Sequence, residues 1–348
     1  MPDHSDAAVA DAQSESGPPA GSPSVLVAED AAAGFGAYVQ NLAVHDWVAL
    51  GFLALAPLAL ALSGPLMGER QRMVTNHVIL WCFVAGAVYV GRSGTGPRSW
   101  FAGIYYRIGL ASAMSVTYVL FGESLPLLSS RELDLPLYHL DLELFGFEPA
   151  VLMERWATPL TVDWFSFFYL CYFALLAFFL MPLVFVGKSK RLAAELAFTV
   201  LVGYGIGQTL YVLVPGYGPL RALREAFHHE LPGGPIFRGM HAFVSDAGAK
   251  KDIFPSLHTA IPTSFTLLGF RYRRDVGRAW MLVAFITMNT VIATMFLRWH
   301  YLIDVFAGLL LAFGVVTASE RVVAWEFARR ERRGLPELWP SWPSRRAS

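Results

Sequence analysis

Two short polar clusters, FPSLHT at residues 254–259 and RWHYLID at residues 298–304, decide how this chain folds. From the first cluster to the second, the chain consists mainly of two apolar runs, residues 253–270 and 279–297. At about 1.5 Å per helical residue, each run is long enough to cross a hydrocarbon core of roughly 30 Å. Two crossings return a chain to the side that it left, so the sequence predicts that both clusters lie at one face of a membrane.

The loop between these two runs, RYRRDVGR at residues 271–278, is rich in arginine. Basic loops stay on the cytoplasmic side of a membrane, so His258 and His300 are predicted to face the extracytoplasmic side. The loop KSKR at residues 188–191 supports the same orientation. The turn between the first two predicted spans argues against it locally, because Arg70 and Arg72 then lie outside.

The composition is that of a membrane protein. Of 348 residues, 55% are hydrophobic and only 16% are charged, which is far more apolar than a soluble domain of this size. The net charge is zero, so nothing in the overall charge favours binding to nucleic acid. The two cysteines, Cys82 and Cys171, lie inside apolar runs and predict neither a disulfide framework nor a metal-thiolate site.

The apolar runs predict an all-α, polytopic transmembrane helical bundle of about eight spans with a six-helix catalytic core. The predicted spans cover residues 47–62, 74–90, 100–121, 164–186, 193–214, 253–270, 279–297 and 301–318. The predicted domains are a disordered N-terminal tail (1–45), two accessory spans (46–99), a catalytic membrane domain (100–319) and a basic cytoplasmic tail (320–348).

Residues 124–161 interrupt the spans and are too polar to cross a bilayer. Within them Leu137, Leu140, Leu144 and Phe145 recur at helical spacing. The segment is therefore predicted to be an amphipathic helix that lies along the membrane interface on its leucine face.

The two clusters carry groups that suit a bound phosphate ester. His300 and Asp304 are four positions apart, so on a helix the carboxylate can orient the imidazole and fix its tautomer. Such a pair also arises by chance. The other cluster adds weight, because Pro255 and Ser256 predict a helix start, whose N–H groups attract anions, and His258 lies in its first turn.

Arginine is the side chain that best neutralises phosphate oxygens, and Arg298 and Arg221 are the preferred candidates on this face. Arg298 can converge with His300 only if the following helix begins near His300. Three further cations can equally form a solvated loop face: Arg224, Lys250 and Lys251. The loop histidines His228, His229 and His241 have no carboxylate or cysteine at ligand spacing, so no metal site is predicted.

At these residues the chain resembles a known family. PSLH at residues 255–258 resembles the second signature of the phosphatidic acid phosphatase type 2 superfamily, and His300 to Asp304 resembles the His-x-x-x-Asp ending of the third. The resemblance spans residues 100–319. Three stretches are most similar to the inositol phosphorylceramide synthase branch: RWHYLIDVFAG (298–308), GYGPLR (216–221) and LYHLDLELFGFEPA (137–150).

The resemblance implies a role for each residue. His300 attacks phosphorus to form a phosphohistidine, and Asp304 orients it. His258 acts as general acid toward the leaving alcohol and then as base toward the acceptor. Ser256 and Arg298 hold phosphate oxygens, and Arg221 substitutes for the family's first signature, which this chain lacks. The family uses no metal and no cofactor.

The expected function is therefore that of an integral membrane, metal-independent lipid phosphotransferase. A phospholipid or other lipid phosphate gives its phospho-headgroup to a lipid alcohol such as ceramide or diacylglycerol. Leu257 stands where the family often has Gly, and Ala293 and Thr294 replace a usual Ser-Arg pair, which favours this branch over a simple phosphatase. The alternatives are a phosphatase acting on phosphatidate or polyprenyl phosphate and, in another class, a non-catalytic lipid-binding or transport protein.

Overall fold

The computed structural model describes residues 34–93, 100–185, 189–247 and 251–339. Over these residues the chain is helical, with one isolated β-bridge between Gly216 and Asp252. After a short helix at residues 34–41, the helices are α1 (Val44–Leu62), α2 (Gly68–Arg92), α3 (Trp100–Leu128), α4 (Asp134–Phe145), α5 (Pro149–Met153), α6 (Pro159–Phe185), α7 (Lys190–Leu213), α8 (Pro219–Ala222), α9 (Pro235–Ala247), α10 (Leu257–Arg271), α11 (Arg273–Val276), α12 (Ala279–Phe296) and α13 (Leu302–Arg332).

Seven of the described helices are long and apolar enough to cross a membrane: α1, α2, α3, α6, α7, α12 and α13. Their outer faces carry large apolar side chains such as Leu58, Leu282 and Phe313, each more than half exposed. A surface of this kind is stable only when lipid covers it. The predicted all-α polytopic bundle is confirmed, and the chain is an integral membrane protein.

The sixth predicted span, residues 253–270, is shorter than expected. Its helix, α10, has 15 residues because Ser256 forms the N-cap and the helix starts only at Leu257. At about 1.5 Å per residue such a helix measures roughly 22 Å, less than a bilayer core. It packs against α6, α7, α12 and α13 and is buried along most of its length. Because protein surrounds this central helix, its length need not match the bilayer.

The spans fall into two groups by packing. Helices α1, α2 and α3 pack on one another, while α6, α7, α12 and α13 surround α10. The third span, α3, belongs to the predicted catalytic unit (100–319), yet it packs mainly on α1 and α2 and also contacts α6 and α7. The predicted division into domains stays a prediction.

Threonine side chains hold α12 in place against its neighbours. Thr287 donates a hydrogen bond to the carbonyl of Pro262 in α10 at 3.1 Å, and Thr290 donates to the carbonyl of Phe168 in α6 at 2.8 Å. Such bonds let helices approach closely in a membrane. They position the end of α12, from which the loop with His300 leaves.

The predicted amphipathic helix exists as α4, and the side chains that it turns toward the protein include its carboxylates. Asp134 and Asp141 are buried, whereas Leu140 and Leu144 are exposed, and only Leu137 of these leucines faces the protein. The helix ends at Gly146, whose φ of 80° suits glycine. The carboxylates turn inward because backbone N–H groups of the loop before α8 and of the first turn of α13 donate to them.

The two predicted tails differ from expectation as well. Helix α13 continues to Arg332, and Arg330 is buried, with its guanidinium 2.8 Å from Glu326 and 2.6 Å from the carbonyl of Asn41. The predicted cytoplasmic tail (320–348) therefore begins as packed helix, because its arginines find partners in the protein. Residues 340–348 lie outside the described residues. So does most of the predicted N-terminal tail (1–45), although residues 34–41 are helical.

A buried ion pair links α1 to α2. Asp46 accepts a hydrogen bond from Arg92 at 2.7 Å and another from the hydroxyl of Tyr106, in α3, at 2.6 Å. Both charged side chains are almost fully shielded from solvent. Removal of one partner from such a pair leaves an uncompensated buried charge.

We expect Asp46→Asn to lower the free energy of unfolding by about 3–5 kcal/mol, because the buried Arg92 then lacks a counter-charge. The control is Lys190→Gln, since the Lys190–Glu337 pair is more than half exposed on both sides and such pairs contribute about 0–1 kcal/mol. Thermal unfolding in detergent compares the two variants. Equal shifts in the melting temperature would show that the Asp46–Arg92 pair is not the link between the spans.

Candidate active site

The loop between α12 and α13 carries both His300 and Arg298. Arg298 has a φ of 65°, the left-handed conformation that commonly ends a helix. The N–H groups of Trp299 and His300 both donate to the carbonyl of Thr294, at 2.9 and 3.1 Å. Because α13 begins only at Leu302, neither Arg298 nor His300 is helical. The helix after His300 thus begins where their spacing in the sequence requires it to begin if Arg298 and His300 are to converge.

His258 lies in the first turn of α10, directly after its N-cap. Ser256 Oγ accepts hydrogen bonds from the N–H of Thr259 at 3.3 Å and from its hydroxyl at 3.1 Å. The N–H of Ser256 donates to the carbonyl of Asp304 at 3.0 Å. The hydroxyl expected to hold phosphate thus serves as a helix cap, and both bonds use its oxygen as acceptor, so its proton is left to donate.

The two histidines lie together, with ring centroids 6.4 Å apart. Tyrosines enclose His258: Tyr169 stacks on it at 4.4 Å, and Tyr172 lies 4.1 Å away between centroids. The hydroxyl of Tyr172 is in turn hydrogen-bonded to that of Tyr204 at 2.6 Å. The imidazole of His258 is therefore held in one plane within an aromatic, water-poor surrounding.

Asp304 is fully buried beside His300. Its Oδ2 lies 3.4 Å from Nδ1 of His300 and accepts a hydrogen bond from the N–H of Tyr301 at 2.9 Å. The pair does not stack along a helix, as the spacing suggested, because His300 precedes the helix. It meets because Asp304 folds back over the start of α13 to cap it.

Several polar atoms around the histidines are buried without a hydrogen-bond partner. They are Nε2 of His258, Nδ1 of His300, Oδ1 of Asp304, Nε of Arg298 and Nε1 of Trp299. Buried polar groups are nearly always paired in folded proteins, so a cluster of exceptions needs an explanation. A polar ligand that enters between the two histidines would supply the missing partners.

His300 is electrostatically set to be neutral. Burial lowers its pKa to about 4, and the nearby carboxylate of Asp252 and carbonyl of Ile253 only partly oppose this. At pH 7 the imidazole therefore carries one proton and one lone pair. A proton on Nδ1, toward Asp304, would place the lone pair on Nε2.

Asp141 holds the start of the helix that carries Asp304. Its Oδ2 accepts a hydrogen bond from the N–H of Leu302 at 2.6 Å, and its Oδ1 accepts one from the N–H of Ile303 at 2.8 Å. These donors belong to the first turn of α13, where N–H groups have no partner within the helix. Asp141 thereby anchors the backbone next to His300.

Asp134 anchors the backbone of the loop before α8, the helix that carries Arg221. It accepts hydrogen bonds from the N–H of Gly218 at 2.8 Å and of Tyr217 at 3.0 Å. It also accepts one from the hydroxyl of Tyr301 at 3.2 Å. One carboxylate thus joins the loop before α8 to the loop of His300.

Glu148 completes the acidic group around α13. It caps α5 through the N–H of Ala150 at 3.1 Å and is hydrogen-bonded to Asp141. Burial, and after it the neighbouring Asp141 carboxylate, raise the pKa of Glu148 to about 8. Glu148 is therefore protonated at neutral pH, and Asp141 keeps its negative charge for the backbone of α13.

Arg298 is held rather than free. Its guanidinium lies 3.2 Å from Glu154, donates to the carbonyl of His229 at 3.0 Å and stacks 3.7 Å from the ring of Phe227. Burial raises the pKa of Glu154, but the N–H groups of His229 and His228 outweigh it and lower that pKa to about 2. A phosphate that reaches Arg298 must therefore compete with an ionised carboxylate.

The other predicted cations divide into two groups. Arg221 is exposed, stacks 3.6 Å from the ring of Tyr217 and lines the same cavity as Arg298. Lys251 points away, since its ammonium donates to the carbonyls of Ser129 and Arg131. Arg224 also lines the cavity, and Lys250 lies outside the described residues.

The loop histidines do not form a metal site in the described parts of the chain. No group of three or more histidine, cysteine, aspartate or glutamate side chains there could hold a metal ion. Instead, His228 and His229 use their N–H groups to bind Glu154, at 3.1 and 2.8 Å. The metal-free mechanism stays a prediction.

Sequence reasoning missed the inward carboxylates and the tyrosines around His258. The spacing of Asp134 and Asp141 by seven residues, two helical turns, places them on one face and was a usable signal. Tyr169 and Tyr172 carried no such signal, because they lie in an aromatic run that also suits a membrane span. Glu154 meets Arg298 only through the tertiary fold.

Comparison with known families gives one result. A family model described as the PAP2 superfamily matches residues 136–318, which is more than half of the chain. The matched region starts within α4 and ends within α13, so it includes His258, His300 and Asp304, whereas Asp134 lies two residues before it. No curated protein and no solved structure matches the chain.

We expect Asp141→Ala to destabilise the protein by about 2–4 kcal/mol, because two buried N–H groups lose a charged acceptor. Glu143→Ala, an exposed carboxylate on the same helix, is the control and should change stability by less than about 0.5 kcal/mol. Thermal unfolding in detergent measures both. A stable Asp141→Ala variant would mean that the start of α13 is held by other groups.

The raised pKa of Glu148 predicts that the stability of the protein depends on pH. Its raised pKa means that the folded state keeps a proton between about pH 4.5 and 8 that the unfolded state has lost. Stability from this group is thus complete below pH 4.5 and declines as pH rises toward 8. We expect Glu148→Gln to remove this decline, on the order of a few kcal/mol.

The measurement is the melting temperature of both proteins from pH 5 to pH 8, with Glu143→Gln as the control. Wild type and the control should lose stability over this range more steeply than Glu148→Gln. Parallel curves for all three proteins would rule out a shared proton at Glu148.

Proposed function

Since the chain belongs to the PAP2 superfamily, whose members are phosphatases and phosphotransferases, we propose that it is a lipid phosphotransferase of the inositol phosphorylceramide synthase type. It moves a phospho-headgroup from a phospholipid donor to a lipid alcohol through a phosphohistidine on His300. The superfamily match supports an enzyme that acts on lipid phosphoesters, and the donor, the acceptor and the intermediate are part of the proposal.

One observation carries the proposal. His258 and His300 face each other at 6.4 Å between ring centroids, Asp304 lies 3.4 Å from the inner nitrogen of His300, and polar atoms of all three are unpaired. A tetrahedral phosphorus between the rings would bring a nucleophile to one side and a proton donor to the other. This is the arrangement that covalent phosphoryl transfer requires.

In the first step, Nε2 of His300 attacks phosphorus and the bond from phosphorus to the leaving alcohol oxygen breaks. His258, protonated once the negative phosphate lies beside it, gives its proton to that oxygen. The negative charge of Asp304 beside Nδ1 stabilises the positive charge that develops on the imidazole ring of His300.

In the second step, His258 takes the proton from the acceptor hydroxyl as its oxygen attacks phosphorus. The phosphorus–nitrogen bond breaks, and His300 returns to its neutral form. Arg298 neutralises the non-bridging oxygens in both steps, helped by Ser256 and Arg221. Over the two steps His258 gives up and regains one proton, and His300 gains and loses the phosphoryl group, so atoms and charges balance.

The surroundings of His258 support a lipid acceptor over water. Phe173 lies 6.1 Å from His258 between centroids and contacts Phe243, which is nearly half exposed. Together with Tyr169 and Tyr172 these rings make an apolar approach to the group that activates the acceptor. Hydrolysis would need water to cross the same aromatic surface.

The arginine-rich loop after α10 supports the orientation proposed here, with the active site on the extracytoplasmic face. The loop carries Arg273, Arg274 and Arg278 at the end of the bundle opposite to His300. Donor and acceptor would then meet in the outer leaflet.

The test is a trapping experiment. Purified protein is incubated with a phospholipid that is labelled at its headgroup phosphate, in the presence of a metal chelator. It is then denatured without acid. We expect acid-labile label on the wild-type protein and none on His300→Asn, because the nucleophile is gone. His139→Asn, an exposed histidine on α4, is the control and should retain the label.

Addition of ceramide or diacylglycerol should then discharge the label into a new lipid, and His258→Asn should slow this discharge by about 100-fold or more. Discharge to water alone would assign a phosphatase instead. Absence of label with phospholipids and with polyprenyl phosphates, in folded protein, would favour a non-catalytic lipid-binding or transport role.

A further inference from the structure

An open cavity of about 890 Å³ lies beside the loop of His300 and has a strongly cationic lining. This volume is within the range of ordinary ligand pockets. Its lining contains four arginines, Arg221, Arg224, Arg238 and Arg298, and a single carboxylate, that of Glu230. The lining therefore holds more positive charge than one phosphodiester can neutralise.

The four arginines differ in whether a carboxylate lies close enough to neutralise them. Arg298 lies against Glu154, and Arg224 lies 3.5 Å from Glu230. Arg221 and Arg238 have no carboxylate within 4.0 Å among the residues that the structure describes. Four arginines against two glutamates leave a surplus of two positive charges.

Both surplus arginines are held for binding. Arg221 stacks flat on Tyr217 at 3.6 Å, which leaves the edge of its guanidinium open to a ligand. Arg238 is anchored by a hydrogen bond of 3.2 Å to the carbonyl of Gly233. Less side-chain freedom is lost when such prearranged groups bind an anion.

The backbone ties this cavity directly to the catalytic loop. Gly218 has a φ of 84°, and a Cβ there would lie 2.2 Å from the carbonyl oxygen of Trp299. The N–H of Leu220 donates to the carbonyl of Arg298 at 2.7 Å. Because glycine permits this contact, Arg221 sits next to the loop of His300 and Arg298.

We infer that this cavity binds a second anionic group of the donor headgroup, a phosphate monoester carried apart from the phosphate that is transferred. This rests on the proposed function, in which Arg298 takes the transferred phosphate. A phosphate monoester carries about −1.5 to −2 charges at pH 7, which matches the surplus. A headgroup with only neutral hydroxyls would leave Arg221 and Arg238 without a counter-charge.

The test measures binding of soluble headgroup probes to the full-length protein in detergent by calorimetry. The probes are inositol 1-phosphate, inositol 1,4-bisphosphate and inorganic phosphate. We expect the bisphosphate to bind about tenfold more tightly than the monophosphate. Arg221→Gln combined with Arg238→Gln should abolish this difference, so that the bisphosphate then binds no more tightly than the monophosphate.

Two variants serve as controls. Arg274→Gln replaces an exposed arginine on the loop at the other end of α10 and should keep the tenfold preference. His300→Asn should keep it as well, because the nucleophile is not part of this cavity. If His300→Asn keeps the bisphosphate preference while the wild-type protein gives no phosphohistidine label, the proposed function is overturned. The inference that the cavity binds a second phosphate is not overturned by this pair of results.

Three results would overturn the inference. The first is equal affinity for the monophosphate and the bisphosphate. The second is a bisphosphate preference that survives in the double arginine variant. The third is inorganic phosphate that binds as tightly as the bisphosphate, since the cavity would then hold free phosphate rather than a headgroup.

Discussion

Buried carboxylates hold the first turn of α13 and, with it, the loop that carries His300. Asp304 accepts the N–H of Tyr301, and Asp141 accepts the N–H groups of Leu302 and Ile303. Each bond to a charged acceptor is worth about 1.5–3 kcal/mol. The N–H groups of Tyr301, Leu302 and Ile303 at the start of this helix are therefore already paired with carboxylates. The same bonds bring Asp304 to His300.

The site has two halves of opposite character. The half with His258 and His300 is buried and aromatic, and His300 is uncharged at pH 7 because burial lowers its pKa to about 4. The half with Arg221 and Arg238 is open and cationic, and it suits capture of a charged headgroup from the membrane surface. Arg298, paired with Glu154, stands between them.

Much of the fold and the core of the site could be predicted from the sequence. Two apolar runs of spanning length between the histidine clusters were enough to place His258 and His300 at one end of the bundle. For Arg298 the sequence supplied only a condition, a helix that begins near His300, and the start of α13 at Leu302 meets it. The sixth predicted span, residues 253–270, however, proved too short to cross a bilayer alone, because α10 is surrounded by protein rather than by lipid.

Apolar periodicity and motif spacing on their own decided the membrane class, the helical architecture and which histidines meet, since hydrocarbon forces backbone hydrogen bonds to close within helices. The tertiary structure alone decided which way the polar side chains of α4 point and what faces Arg298. Asp141 and Leu302 are 161 residues apart, and Glu154 and Arg298 are 144 apart. No local pattern encodes such pairs, because each carboxylate is placed by the unpaired N–H or guanidinium group that folding brings to it.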